Sequence, residues 1–183
     1  MAKSKGNVVT HGLSGKIGDL LVFRQLKGKT VVSKIPVTSE KPTEKQAAQR
    51  QRFQQAVLYA KTAVETDERY RTVAKKKGVM PINVAVADFF NAPDIAQIDL
   101  SDYKGHAGDL ISIHVTDDFA VKSVQVEIIN TSGTVIEKGD ALQGPGTLWN
   151  YTVTNSVGNI KECKIVVTAS DFPGNITEGE ANP

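Results

Sequence analysis

The chain has 183 residues, 40% of them hydrophobic, which is enough for one ordinary domain or two small ones with real cores. Its single cysteine, Cys163, excludes an internal disulfide framework, and no run approaches the ~18 apolar residues of a membrane-spanning helix. The net charge of +2 hides a split, because residues 1–87 carry 17 Lys/Arg against 6 Asp/Glu whereas residues 88–183 carry 5 against 14. Such a split marks either a basic partner-binding arm or two modules that attract each other. Attraction of that kind is screened beyond about 8 Å at physiological salt and so acts mainly at direct contact.

Residues 1–11 form a basic lead without periodicity and without an apolar stretch of the signal-peptide type. The expected location is therefore the cytoplasm, or a particle exported without the usual signal peptide. From Gly12 the runs Asp19–Gln25 and Thr30–Ile35 are rich in Leu, Val, Ile and Phe, and the four residues between them read as a turn, so a β-hairpin is expected. Gly12, Gly15 and Gly18 predict special backbone angles or close backbone contact. Thr43 and Gln46 make a capping box that starts a helix. On that helix Phe53, Ala56, Val57, Ala60, Ala63 and Val64 fall at helical spacing and define an apolar face. A second helix is expected to open near Thr66 and Asp67, to carry Tyr70, Val73 and Ala74, and to end at Lys75–Lys77 with a left-handed Gly78. Ile82–Asn91 reads as a third, short helix, with a strand as the alternative for VAVA, and its Phe89 and Phe90 are expected to be buried against the first two helices.

Pro93 marks the expected module boundary, which divides the chain into residues 1–92, a basic hairpin-plus-helices module, and residues 93–183. Seven β segments follow: Ile95–Leu100, Asp109–Thr116, Val121–Ile129, Thr134–Glu137, Thr147–Thr154, Glu162–Ala169 and Asn175–Glu178. Ile111, Ile113 and Val115, then Val124, Val126 and Ile128, alternate with polar residues, as strands with one buried face do. Trp149, Tyr151 and Val153 share a face of their strand, and Cys163, Ile165, Val167 and Ala169 share one of theirs. The gaps are too short for crossover helices, so the segments predict an antiparallel β-sandwich and the whole chain an α+β protein.

The turn DDFAV before SVQVEI, the aromatic strand LWNYTV and the segment VTASDFPGNIT resemble bacterial immunoglobulin-like domains over about half the chain. The paired cysteines of antibody-type domains are absent. The N-terminal GLSGKIGDLLVFRQLKGKTVVSKIP, followed by TEKQAAQRQRFQQAVLYAK, resembles an uncharacterised family of Bacteroidetes proteins. That second resemblance implies architecture and supplies no sites.

No set of residues singles out catalysis. Gly28-Lys29-Thr30 resembles the end of a phosphate loop, but Phe23 stands where the leading glycine should be. Ser14 lacks the nucleophile-elbow pattern. His11, His106 and His114 are scattered, without zinc-type spacing or a catalytic partner set. The three Asn-x-Ser/Thr triplets, at Asn130, Asn150 and Asn175, carry no weight without a secretory signal. The expectation is a non-enzymatic protein with no evident small-molecule substrate.

Two binding surfaces remain. Asp117, Asp118, Asp171 and Asn175 lie in loops after strands expected to run in the same direction, which offers calcium an oxygen set; the alternative is plain turn formation. Lys16, Arg24, Lys27, Lys29 and Lys34 on the hairpin, with Lys45, Arg50, Arg52 and Lys61 on the long helix, form a basic surface for an acidic protein partner, self-assembly or nucleic acid. Phe23 and Phe53 are expected in the core, which leaves no clear base-stacking platform. The leading expectation is a structural or interaction protein, a subunit or adaptor of a phage-like or other particle. The alternative is a nucleic-acid-binding protein.

Overall fold

Short apolar alternation punctuated by glycine gives strands, and the computed structural model, which describes residues 2–4, 10, 12–26, 29–35 and 41–183, places them in three antiparallel sheets with three helices, an α+β architecture. The chain divides into two compact units, residues 1–47 and residues 48–183.

In the first unit the expected hairpin is present as β3 (Leu21–Leu26) and β4 (Lys29–Lys34), with Phe23 opposite Val32. Two strands that have no sequence period of their own extend it: β1 (Ala2–Ser4) pairs with β4 and β2 (Gly15–Ile17) with β3, giving the order β1-β4-β3-β2. Gly12, Gly15 and Gly18 have φ of 80°, 112° and 56°, values open to glycine and strained for other residues. Thr30 is buried; its hydroxyl donates to the Thr10 carbonyl at 3.0 Å and accepts from Gln25 Nε2 at 2.9 Å. Thr30 therefore works as an internal tie in a strand and has no part in a phosphate loop.

The capping box is formed. Gln46 N–H donates to Thr43 Oγ1 at 3.3 Å and Thr43 N–H to Gln46 Oε1 at 3.1 Å, opening α1 (Glu44–Thr66). The unit boundary falls within this helix. Ala56, Ala60 and Ala63 are its buried face. Phe53, expected in the core, is instead 52% exposed, because small alanines make the close contacts and the ring is left to stack at the helix edge on Phe90, 6.5 Å between centroids.

In the second unit α2 (Arg69–Lys77) ends on Gly78 at φ 64°, with three lysines against its negative dipole end. The VAVA segment is helical. Pro81 sits at the first turn of α3 (Pro81–Phe90), where its missing N–H costs nothing, and Val84, Ala85 and Asp88 form the buried face. Phe89 and Phe90 are half-buried.

The strands after Pro93 form two sheets. One has the order β5 (Asp94–Asp99), β6 (Leu110–Thr116), β10 (Leu148–Thr152), β9 (Leu142–Gln143). The other has the order β12 (Ile176–Ala181), β11 (Cys163–Asp171), β7 (Val121–Asn130), β8 (Val135–Asp140). Sequence alternation did not signal β9, a two-residue edge strand. Inward residues of both sheets, among them Ile111, Ile113, Val124, Val126, Trp149, Tyr151, Cys163 and Ile165, form one core. β11 runs antiparallel to β7, and its end, Asp171, lies opposite Val121 at the start of β7. The β6–β7 and β11–β12 turns therefore meet at one end of the sheets.

Candidate functional site

At that end Phe119, in the β6–β7 turn, packs into the helical cluster of Ala60, Ala63, Tyr70, Ala74, Val84 and Ala85. Its ring lies parallel to Tyr70, with centroids 3.8 Å apart. The stacking brings the acidic turn residues against α3. One carboxylate oxygen each of Asp88, Asp117 and Asp171 lies within 4.8 Å of the others.

Each of the three is held by a different device. Asp88 is 1% exposed, and its Oδ2 accepts a 2.5 Å hydrogen bond from the Tyr70 hydroxyl, which in turn contacts the Tyr59 hydroxyl at 2.9 Å. Asp117 folds back on its own turn, with Oδ1 accepting from the backbone N–H of Phe119 at 2.7 Å and of Ala120 at 2.9 Å. Asp171 is fully buried and holds the next turn, with Oδ1 accepting from the N–H groups of Gly174 and Asn175 and Oδ2 from Asn175 Nδ2 at 2.6 Å. Two oxygens are left over. Asp88 Oδ1 and Asp117 Oδ2 are buried without a hydrogen-bond partner.

Like charges this close repel by roughly 3.5 kcal/mol per pair at an effective dielectric constant of about 20. Burial first, then the charges of Asp117, Asp171 and Asp118, push the Asp88 carboxyl up to about 6 against the opposing Tyr70 hydrogen bond. Burial also raises Asp117, against its two backbone hydrogen bonds. Desolvation and the bonds to Asp88 and Tyr59 drive the Tyr70 phenol far above its ordinary range, so it is a permanent donor. No lysine or arginine forms an ion pair with the three carboxylates among the described residues. The neighbouring cations are occupied elsewhere: Arg69 pairs with Asp67 at 2.6 Å and lies over the rings of Phe119 and Phe172. Lys77 Nζ donates to the main-chain carbonyl of Asp118.

Glu137 shows what a buried carboxylate looks like when the fold satisfies it. It accepts from the Tyr151 hydroxyl at 2.6 Å, from the Thr154 N–H and hydroxyl, and from the Asn155 N–H. Burial alone would raise its pKa, but these four bonds outweigh it and hold the group below the ordinary value.

Of the residues expected to offer oxygens, Asp117 and Asp171 come together. Asp118 is turned away, its carboxylate accepting from Asn91 Nδ2 at 2.5 Å. Asn175 uses its amide nitrogen, 3.2 Å from each of the main-chain carbonyls of Asp88, Phe89 and Asn91, to close the C-terminal end of α3. Sequence spacing missed Asp88. Its signal was a carboxylate on the buried face of the apolar helix PINVAVADFF, one turn after Val84, with no cation in helical reach.

Of the residues expected to form the basic surface, Lys16, Arg24, Lys29, Lys34, Lys45, Arg50, Arg52 and Lys61 are exposed. Strand register puts Lys16, Arg24 and Lys29 on one face of the first sheet and Lys34 on the other. Along α1, Lys45 and Arg52 share a face, and Arg50 and Lys61 share another roughly 160° away. The Arg52 guanidinium lies 5.0 Å from the Phe90 ring centre. Lys27 and His11 lie outside the described residues. His106 is exposed, and His114, three residues before Asp117, is half-buried with Nδ1 3.3 Å from the Thr147 hydroxyl.

No family model matches the chain, and no curated protein matches it. Among solved structures, CopC from Methylosinus trichosporium OB3b aligns with a TM-score of 0.36 and 13% identity over 48% of this chain and 87% of that one. An engineered protein aligns with a TM-score of 0.36 and 22% identity over 48% of this chain and 19% of its own. No helix among the described residues is long and apolar enough to cross a membrane.

Proposed function

We propose that the protein is a non-enzymatic structural and interaction subunit of a larger assembly, such as a phage-like or other particle. In this reading the basic first unit is the docking element and an immunoglobulin-like sandwich is the spacer or recognition surface. The supporting observation is the large apolar side chains that the first unit leaves exposed. Among the residues of this unit whose burial is described, Phe23, Thr30 and Val31 are buried, while Leu13, Ile17, Leu20 and Leu21 are exposed, Leu20 by 77%. A unit of 47 residues is of a size at which a single core supplies little stability, so an outside support would add to it. Ile17 and Leu21 lie side by side in register on one face, and the opposite face carries Lys16, Arg24 and Lys29.

The partner we assign is a second copy of the chain. Residues 1–47 carry 9 Lys/Arg against 3 Asp/Glu, and residues 93–183 carry 5 against 13, so the basic unit of one copy complements the acidic sheets of the next. A contact between unlike surfaces runs head to tail and closes into rings or continues as filaments. Mass photometry and sedimentation over a concentration series test this, comparing the native chain with Lys16→Glu, Arg24→Glu and Lys29→Glu combined. The native chain associates and loses association with added salt, and the triple variant stays monomeric. A native chain that remains monomeric at high concentration refutes the reading. The second reading rests on the same three aligned cations. Affinity for random duplex or single-stranded nucleic acid that falls steeply with salt would favour it over self-assembly.

A further inference from the structure

We propose that Asp88, Asp117 and Asp171 form a binding site for a hard divalent cation, calcium above all, which ties α3 to the β6–β7 and β11–β12 turns. Three carboxylates lie within 4.8 Å of one another, and acidic clusters of that kind also occur without any ion. The deciding observation is Asp88. It is 1% exposed, its Oδ2 is taken by Tyr70, and its Oδ1 is buried with no partner. Asp117 repeats the pattern, with Oδ1 bonded to its turn and Oδ2 buried and free. A fold that satisfies both oxygens of Glu137 with four donors leaves one oxygen on each of these two residues without any. Buried anionic oxygens left in that state want a cation.

The surroundings strengthen the demand. Asp88 lies in the last turn of α3, where the helix dipole is negative, and the main-chain carbonyls of Asp88, Phe89 and Asn91 crowd the single amide nitrogen of Asn175. Its two hydrogens cannot serve all of these and Asp171 as well. No protein cation pairs with the carboxylates among the described residues.

The donors are all oxygen, which selects calcium or magnesium over zinc and copper. They come from a helix and two turns that impose no octahedral frame, and calcium accepts irregular geometry where magnesium does not. Asp117 also lines an open cleft with Thr116, Phe119, Gly146 and Thr147. Asp118 and Asn175 position the turns around the site. The proposal does not depend on self-assembly, since all three ligands belong to one unit of one chain.

The test is calorimetric titration of the full chain, stripped with chelator, with calcium chloride and separately with magnesium chloride. Terbium luminescence excited through tyrosine supplies a second readout, because Tyr70 bonds directly to Asp88. The expected result is one calcium per chain, a higher melting temperature with calcium, and terbium emission that calcium quenches by displacement. Asp88→Asn and Asp117→Asn each lower calcium affinity at least tenfold. Both keep the acceptor that holds Tyr70 or the turn, and circular dichroism confirms folding before titration. Absence of binding up to roughly 10 mM calcium, above the range of weak extracellular modules, overturns the site. Binding that survives both substitutions overturns the ligand assignment, and tighter magnesium binding overturns the choice of calcium.

Discussion

Without a divalent cation, Asp88 should make this protein less stable at neutral pH than in mild acid, and Asp88→Asn should remove that penalty. The side chain is buried, and its carboxyl is raised from 3.8 to about 6 in the folded state, by burial first and then by the neighbouring acids. The folded chain therefore holds the proton more tightly than the unfolded chain. Stability is greatest below the unfolded value and falls as pH rises between about 4 and 6, by about 3 kcal/mol for a shift of this size. Asparagine keeps the acceptor for Tyr70 and carries no charge, which removes the repulsion with Asp117 and Asp171. In chelator at pH 7 the variant should gain up to about 3 kcal/mol, or roughly 6–12 °C in melting temperature for a chain of this length. Urea denaturation of both proteins from pH 4 to 7.5, with and without millimolar calcium, measures this. Saturating calcium should narrow or reverse the difference, because only the native site gains from binding. A variant less stable than the native chain in chelator at pH 7, or an equal pH slope in both, would refute the reasoning.

Glu137 should behave in the opposite sense. Its folded carboxyl is held low by four accepted hydrogen bonds, so its contribution is complete above its unfolded value and is lost as pH falls through the folded one. Glu137→Gln should cost about 1–3 kcal/mol at pH 7, and acid denaturation should show the gap closing toward low pH. Gly139→Ala should cost about 1–3 kcal/mol by overpacking, since a Cβ there would stand 2.8 Å from Tyr151 Cε2 and 2.9 Å from its hydroxyl. Near-ultraviolet dichroism should report the displaced tyrosine, and an unchanged spectrum and melting temperature would count against that packing.

Much of the fold is legible because its signals are local. Thr43 and Gln46 mark the start of α1, Gly78 marks the end of α2, and alternation from Leu110 to Ile128 identifies the inward faces of β6 and β7. Phe53 shows the limit of such reading. Helical spacing puts it on the apolar face, but depth is set by what packs opposite, and there its ring stacks on Phe90 while half of the residue stays exposed. β1 and β9 are strands because a neighbour supplies their hydrogen bonds, a condition that no period in two or three residues can encode.

By itself the sequence determined an α+β chain with a basic beginning, an acidic sheet-rich end and carboxylates in two turns of like direction. Which of those carboxylates meet, and that Asp88 joins them, follows from packing between distant segments. Tyr70 stacks on Phe119 and thereby sets the acidic turn against the end of α3, an encounter between segments far apart in the chain. Charge and helical period say that Asp88 is acidic and faces inward. Its missing hydrogen-bond partner is a property of three-dimensional packing, and so is the demand for a cation that it creates.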